Sequence, residues 1–245
     1  MTYCVGMKLD RGLVFISDTR TNAGVDNISQ VRKMKIWEEP GERVITLLSA
    51  GNLGTTQSVV SLLDERSKAP QERDPSILSD PSMFEVARRV GATLREVVRT
   101  HSDEGQESAS TFGATLILGG QIKGSEPKLF LIYPEGNFIE ASADNPFFQI
   151  GEAKYGRPIL LRAYDKEMSF ENAIKLLLVS FDSTIRANVA VDLPFDIMAY
   201  DADSLKIGQE KRIEKDDPYF AQISSGWGEA LKLAFDALPD FHFQE

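Results

Sequence analysis

Thr2, Asp18 and Lys33 are the residues of this 245-residue chain whose types and order can do chemistry without a metal or a histidine. Removal of Met1 leaves a first-residue threonine with a nucleophilic hydroxyl and a free amine, and the amine can serve as the base for its own hydroxyl. An α-amine has a reference pKa of about 7.7–8.0, so part of it is neutral near neutral pH. A lysine ammonium beside it lowers that pKa by like-charge repulsion and helps polarise the hydroxyl, while a carboxylate keeps the lysine aimed. Asp18 closes the apolar run Gly12-Leu13-Val14-Phe15-Ile16-Ser17, and Lys33 sits within Gln30-Val31-Arg32-Lys33-Met34-Lys35. Each has a plainer alternative. A threonine in second place is common by chance, Asp18 can cap the turn before Thr19-Arg20-Thr21-Asn22, and Lys33 can be a solvated charge within the basic stretch 32–35.

The remaining stock of reactive residues is small. Cys4 is the single cysteine and reads as a small buried apolar residue. His101 and His242 are the only histidines, and both read as exposed loop residues. No His/Cys metal cluster can be assembled from these, so neither a metal nor a cofactor is expected. The net charge of −10 has no Lys/Arg-rich block to offset it, which argues against nucleic acid. No apolar run reaches the ~20 residues of a membrane helix, and no basic leader precedes an apolar stretch. The expected setting is therefore cytoplasmic, with no membrane partner.

The elements that must position these groups follow from the apolar pattern. Residues 2–8 and 12–17 read as a hairpin around Asp10-Arg11-Gly12, and 34–37 with 43–49 as a second around Glu39-Pro40-Gly41-Glu42. The first hairpin returns the chain to the N-terminus, bringing Asp18 towards Thr2. A helix follows Gly51-Asn52, then a polar loop with Pro70, Pro75 and Pro81, then a helix from Ser82 to about Thr100 with Phe84, Val86, Ala87, Val90, Leu94 and Val97 on one face. Strands resume over 110–119, 128–133, 138–141 and 147–151. Helices near 153–164 and 169–187, strands near 195–201 and 205–213, and a helix near 220–237 complete the chain. Runs of strands alternating with runs of helices predict an α+β fold of two antiparallel sheets flanked by helix pairs. With no linker or repeat, residues 1–245 are expected to form one domain with a C-terminal extension at about 205–245.

These residues carry a family resemblance. A threonine at the mature N-terminus, Ile16-Ser17-Asp18, Val31-Arg32-Lys33-Met34, Leu48-Ser49-Ala50-Gly51, Phe112-Gly113-Ala114-Thr115-Leu116 and Gln149-Ile150-Gly151 resemble the proteasome β-type peptidases, over roughly residues 2–200. The length, the Met1-Thr2 start and the extended tail most resemble the bacterial "ancestral β subunit" branch, Anbu. The resemblance implies the four-layer αββα fold of N-terminal nucleophile hydrolases. It implies Thr2 as nucleophile and amine base, with Asp18 and Lys33 as electrostatic support. The family's oxyanion donor is a backbone N–H just before a helix, and alignment puts it at Leu48. Two positions that tune the amine in the family are Glu152, where a serine is common, and Asn188, where an aspartate is common; Val191 also stands where a serine is common.

The resemblance thus implies a threonine peptidase acting on peptides or unfolded proteins within a homo-oligomer, as a closed ring or an open spiral, with any unfoldase partner unidentified. No nucleotide-binding glycine loop is present, so the chain itself is not expected to use ATP. Two other functions share the fold: an amidase for a small substrate, and a structural or regulatory assembly with little catalysis. The tail supplies Phe220, Ile223, Trp227, Leu231, Phe235, Phe241 and Phe243, which suit an intersubunit surface or else close the core of their own subunit.

Overall fold

The computed structural model describes residues 2–22, 28–68, 76–103 and 109–243. The strands in chain order are β1 (Tyr3–Leu9), β2 (Gly12–Asp18), β3 (Arg20–Asn22), β4 (Ile28–Gln30), β5 (Met34–Glu39), β6 (Arg43–Gly51), β7 (Ala114–Ile122), β8 (Lys128–Ile132), β9 (Phe138–Glu140), β10 (Phe147–Gly151), β11 (Phe195–Asp201) and β12 (Gln209–Ile213). The helices are α1 (Leu53–Lys68), α2 (Met83–Asp103), α3 (Arg157–Ala163), α4 (Phe170–Ala187) and α5 (Pro218–Asp236). Two five-stranded antiparallel sheets, ordered β10-β1-β2-β11-β12 and β5-β6-β7-β8-β9, form the centre.

Side-chain alternation explains why two strands read as nearly continuous apolar runs. Along β2, Leu13 and Phe15 enter the core between the sheets, while Val14 and Ile16 face the α3–α5 layer. Along β6, Val44 and Leu48 enter the inter-sheet core, while Ile45 and Leu47 pack under α1 and α2. A strand buried on both faces has no polar face to show. The result is a four-layer αββα sandwich with three apolar interfaces.

Several boundaries differ from the sequence reading. The strand expected over 110–119 begins only at Ala114, after a short 3₁₀ turn at 109–112. The predicted α2 ends near Thr100, but the helix continues through His101, whose half-buried ring lies 5.7 Å from that of Phe112. The small β3–β4 ladder was not expected; its three-residue strands are too short for alternation to register. Pro70 and Pro75 fall outside the described residues. The expected C-terminal extension is partly body: β12 pairs with β11, and the ring of Phe220 of α5 meets that of Phe195 edge-on at 5.4 Å.

Candidate active site

The β1–β2 hairpin carries Thr2 and Asp18 to one end of the first sheet, because Cys4 pairs with Ser17 and the next residues outward are Tyr3 and Asp18. Asp18 is fully buried, and its Oδ1 accepts from the Tyr3 backbone N–H at 2.9 Å. The same oxygen accepts from Lys33 Nζ at 2.7 Å, and Lys33 also donates to the Arg20 carbonyl at 2.6 Å. Lys33 stands one residue before β5, 7% exposed, and its carbonyl accepts from Ser49 N–H of β6 at 3.0 Å. The sequence reading set Asp18 and Lys33 together as support for Thr2, and the solvated-charge alternative for Lys33 does not fit the burial found here.

Burial drives the Asp18 carboxyl up to about 6, with the Lys33 cation, the Lys33 hydrogen bond and the Tyr3 N–H each pulling against it. Its second oxygen, Oδ2, is buried without a hydrogen-bond partner among the described residues. Cys4 lies just behind, fully buried, with its sulfur 3.8 Å from the Ser49 carbonyl. Burial pushes that thiol far above its ordinary range, which suits a packing role rather than a nucleophile.

The other side of Thr2 is held by the main chain of β10. Glu152 N–H donates to the Thr2 carbonyl at 2.7 Å. Gly151 adopts φ +80°, and a Cβ there would lie 1.9 Å from the Thr2 carbonyl oxygen, so only glycine allows this approach. The Glu152 carboxylate, in a residue 7% exposed, accepts from Asn188 Nδ2 at 2.8 Å. Asn188 ends α4: its N–H donates to the Thr184 carbonyl at 2.9 Å and its Oδ1 accepts from Ala190 N–H at 2.9 Å. Two residues far apart in the chain therefore meet beside the strand that fixes Thr2.

Leu48 does not join them. It lies three residues inside β6, paired with Met34 and Ile117, with its side chain fully buried between the sheets. The residue before α1 that faces the site is Gly51, which closes β6 with φ +119° and is exposed. Asn52 then caps α1 by accepting from Thr55 N–H at 3.1 Å. The signal for Gly51 was present in the sequence as a glycine between an apolar strand and a helix N-cap.

Thr2, Lys33 and Gly51 open onto one cleft of about 1500 Å³. Thr21, Val31, Ser49 and Leu53 also line it, as do Asp196, Ile207 and Arg212. The cleft runs between two sheet edges, since β5 is the outer strand of one sheet and β12 of the other.

Comparison with known proteins places this arrangement. A model of the proteasome subunit family matches residues 82–193. The proteasome β subunit of Methanocaldococcus fervens is 25% identical over 214 residues, covering 87% of this chain and 88% of its own. The fold and the family match define the class as a proteasome-type subunit with the N-terminal nucleophile hydrolase architecture. Among solved structures, Anbu (ancestral β-subunit) from Yersinia bercovieri is 48% identical over the whole of both chains with a TM-score of 0.92. A structure titled as the helical assembly of the Anbu complex from Pseudomonas aeruginosa is 42% identical over 98% of each chain, with a TM-score of 0.91. The chain belongs to the Anbu family of proteasome β-type proteins.

Proposed function

We propose that the protein is a threonine peptidase subunit that cleaves peptide bonds within a self-assembled oligomer. The observation that carries this reading is the buried Lys33–Asp18 pair, tied through Tyr3 N–H to the residue that follows Thr2. With Met1 attached, the Thr2 nitrogen is an amide and cannot take a proton. Freed, it becomes an amine that accepts the Oγ1 proton as the hydroxyl oxygen attacks a peptide carbonyl carbon. The Lys33 cation favours the neutral amine and the developing alkoxide.

The negative oxygen of the tetrahedral intermediate needs a fixed donor. Gly51 N–H fits that role. Ser49 N–H points to the Lys33 edge of β6, strand alternation turns the N–H two residues on to the same edge, and the β5–β6 register ends with the Met34–Leu48 pair, before Gly51. The intermediate collapses, the leaving amine takes the proton, and water attacks the threonine ester with the amine again as base. Glu152 positions the Thr2 main chain through its N–H, and Asn188 holds the Glu152 carboxylate in place.

The cleft favours a polymer over a small amide. Its volume of about 1500 Å³ exceeds the roughly 300–1,000 Å³ of small-molecule pockets. Flanking sheet edges also offer backbone groups to an extended chain. A threonine-directed electrophile should leave one adduct, on Thr2, in peptide-mapping mass spectrometry of the processed protein. Absence of the adduct on a free Thr2 would remove the assignment.

Gly151→Ala tests the positioning of Thr2. The methyl would collide with the Thr2 carbonyl and displace Thr2 by about an ångström. A shift of that size costs on the order of 10²-fold in turnover. Peptide hydrolysis measured beside circular dichroism should show that loss with secondary structure kept. Full activity would mean that β10 does not fix the nucleophile.

A further inference from the structure

The far end of α5 and a groove on the same molecule fit one another. The first half of α5 belongs to the body, with Phe220 8% exposed and Ile223 packed on the same core. From Glu229 to Phe243, by contrast, every residue is exposed. The last two turns of the helix, about 12 Å long, and the seven described residues beyond it form an exposed arm. Phe235, Phe241 and Phe243 on that arm are 74%, 79% and 88% exposed. Large apolar side chains clustered in the open mark an interaction surface.

The groove lies between α3, α4 and the first part of α5 and has a volume of about 860 Å³. Ile159, Met168, Leu176, Val179 and Trp227 make it apolar. Arg162 and Lys175 stand in its lining, and no aspartate or glutamate does. The arm has the opposite charge: residues 233–243 contain Asp236 and Asp240 and no lysine or arginine. On a chain of net charge −10, an acidic apolar arm is repelled by most of another copy's surface. A basic apolar groove is the exception.

We propose that residues 233–243 of one subunit dock into the α3–α4–α5 groove of a second copy of this chain. The proposal rests on the oligomer reading given above. The arm leads away from its own groove, because α5 lines that groove only as far as Leu231. Arm and groove are different surfaces, so the contact is head-to-tail. Such contacts propagate from copy to copy and form a ring or an open helix according to the rotation at each step.

Cysteine trapping tests this cleanly, because Cys4 is the only natural cysteine and is fully buried. His242→Cys places a thiol on the arm and keeps both phenylalanines; Ser183→Cys places one in the groove. Mild oxidation of the two full-length single variants, mixed, should give a disulfide-linked dimer on non-reducing electrophoresis. A dimer formed by His242→Cys alone, or a bridge confined within one chain in the doubly substituted protein, would overturn the proposal. Arg162→Glu with Lys175→Glu should raise the concentration for half-assembly by about ten-fold or more, and Asp236→Lys with Asp240→Lys in the same chain should restore it. Light scattering separates the two readings: a full-length protein that stays monomeric at micromolar concentration sinks the oligomer itself, whereas one that assembles with no arm-to-groove bridge sinks only the docking.

Discussion

Thr2→Ala should abolish peptide hydrolysis, by at least about 10⁴-fold, and leave fold and assembly unchanged. The substitution removes one hydroxyl and one methyl from a partly exposed residue that lines the cleft. It removes none of the contacts that hold the strand: the Thr2 carbonyl still accepts from Glu152 N–H, and Tyr3 N–H still donates to Asp18. The Lys33–Asp18 pair also stays intact, so no buried charge is stranded. Alanine is as small as threonine for removal of Met1, so the variant still exposes a free amine without its nucleophile. Turnover on a peptide library, measured beside particle mass by light scattering, checks both halves of the expectation. Residual turnover near the parent level would place the nucleophile elsewhere in the cleft. Loss of assembly with loss of activity would mean that Thr2 is a structural residue.

What could be read from sequence divides along physical lines. Thr2, Asp18 and Lys33 were legible because a tight hairpin and a following strand set their positions, and both leave local patterns. The double-sided burial of β2 was legible as a continuous apolar run. The oxyanion position read at Leu48 moves to Gly51 in the proposed mechanism, because counting along the chain does not show where β6 stops pairing with β5. Only the ladder reveals that Leu48 still lies between β5 and β7. The contact between Glu152 and Asn188 joins a strand end to a helix end across 36 positions. Their separate departures from the family pattern were visible, but no local rule pairs them. The strand expected at Ser110 failed for a related reason: apolar Phe112 mimics strand pattern but sits in a 3₁₀ turn beside His101. The tail was readable as apolar; that its first half closes the core and its second half stands exposed follows from tertiary packing, which composition does not carry.

Lys33→Ala should cost almost as much activity as Thr2→Ala, and the double variant should be no slower than either. Residues that act as one unit lose their whole contribution when any member goes, so their effects do not add. Lys33 differs from Thr2 in what it leaves behind. Its side chain is 6% exposed against a fully buried Asp18, so removing it strands a carboxylate that burial already drives up to about 6. Breaking a buried pair in this way costs on the order of 3–5 kcal/mol, which Thr2→Ala does not incur. The two effects separate by experiment: denaturant unfolding should show the loss of stability, and turnover at a temperature where circular dichroism reports a folded variant should still be lost. Adding Asp18→Asn to Lys33→Ala removes the stranded charge, so that pair should regain stability without regaining activity. Activity recovered along with stability would show that Lys33 serves the fold alone. A stability regained in silence, with Thr2 intact and its amine free, would show that the ammonium itself drives the chemistry.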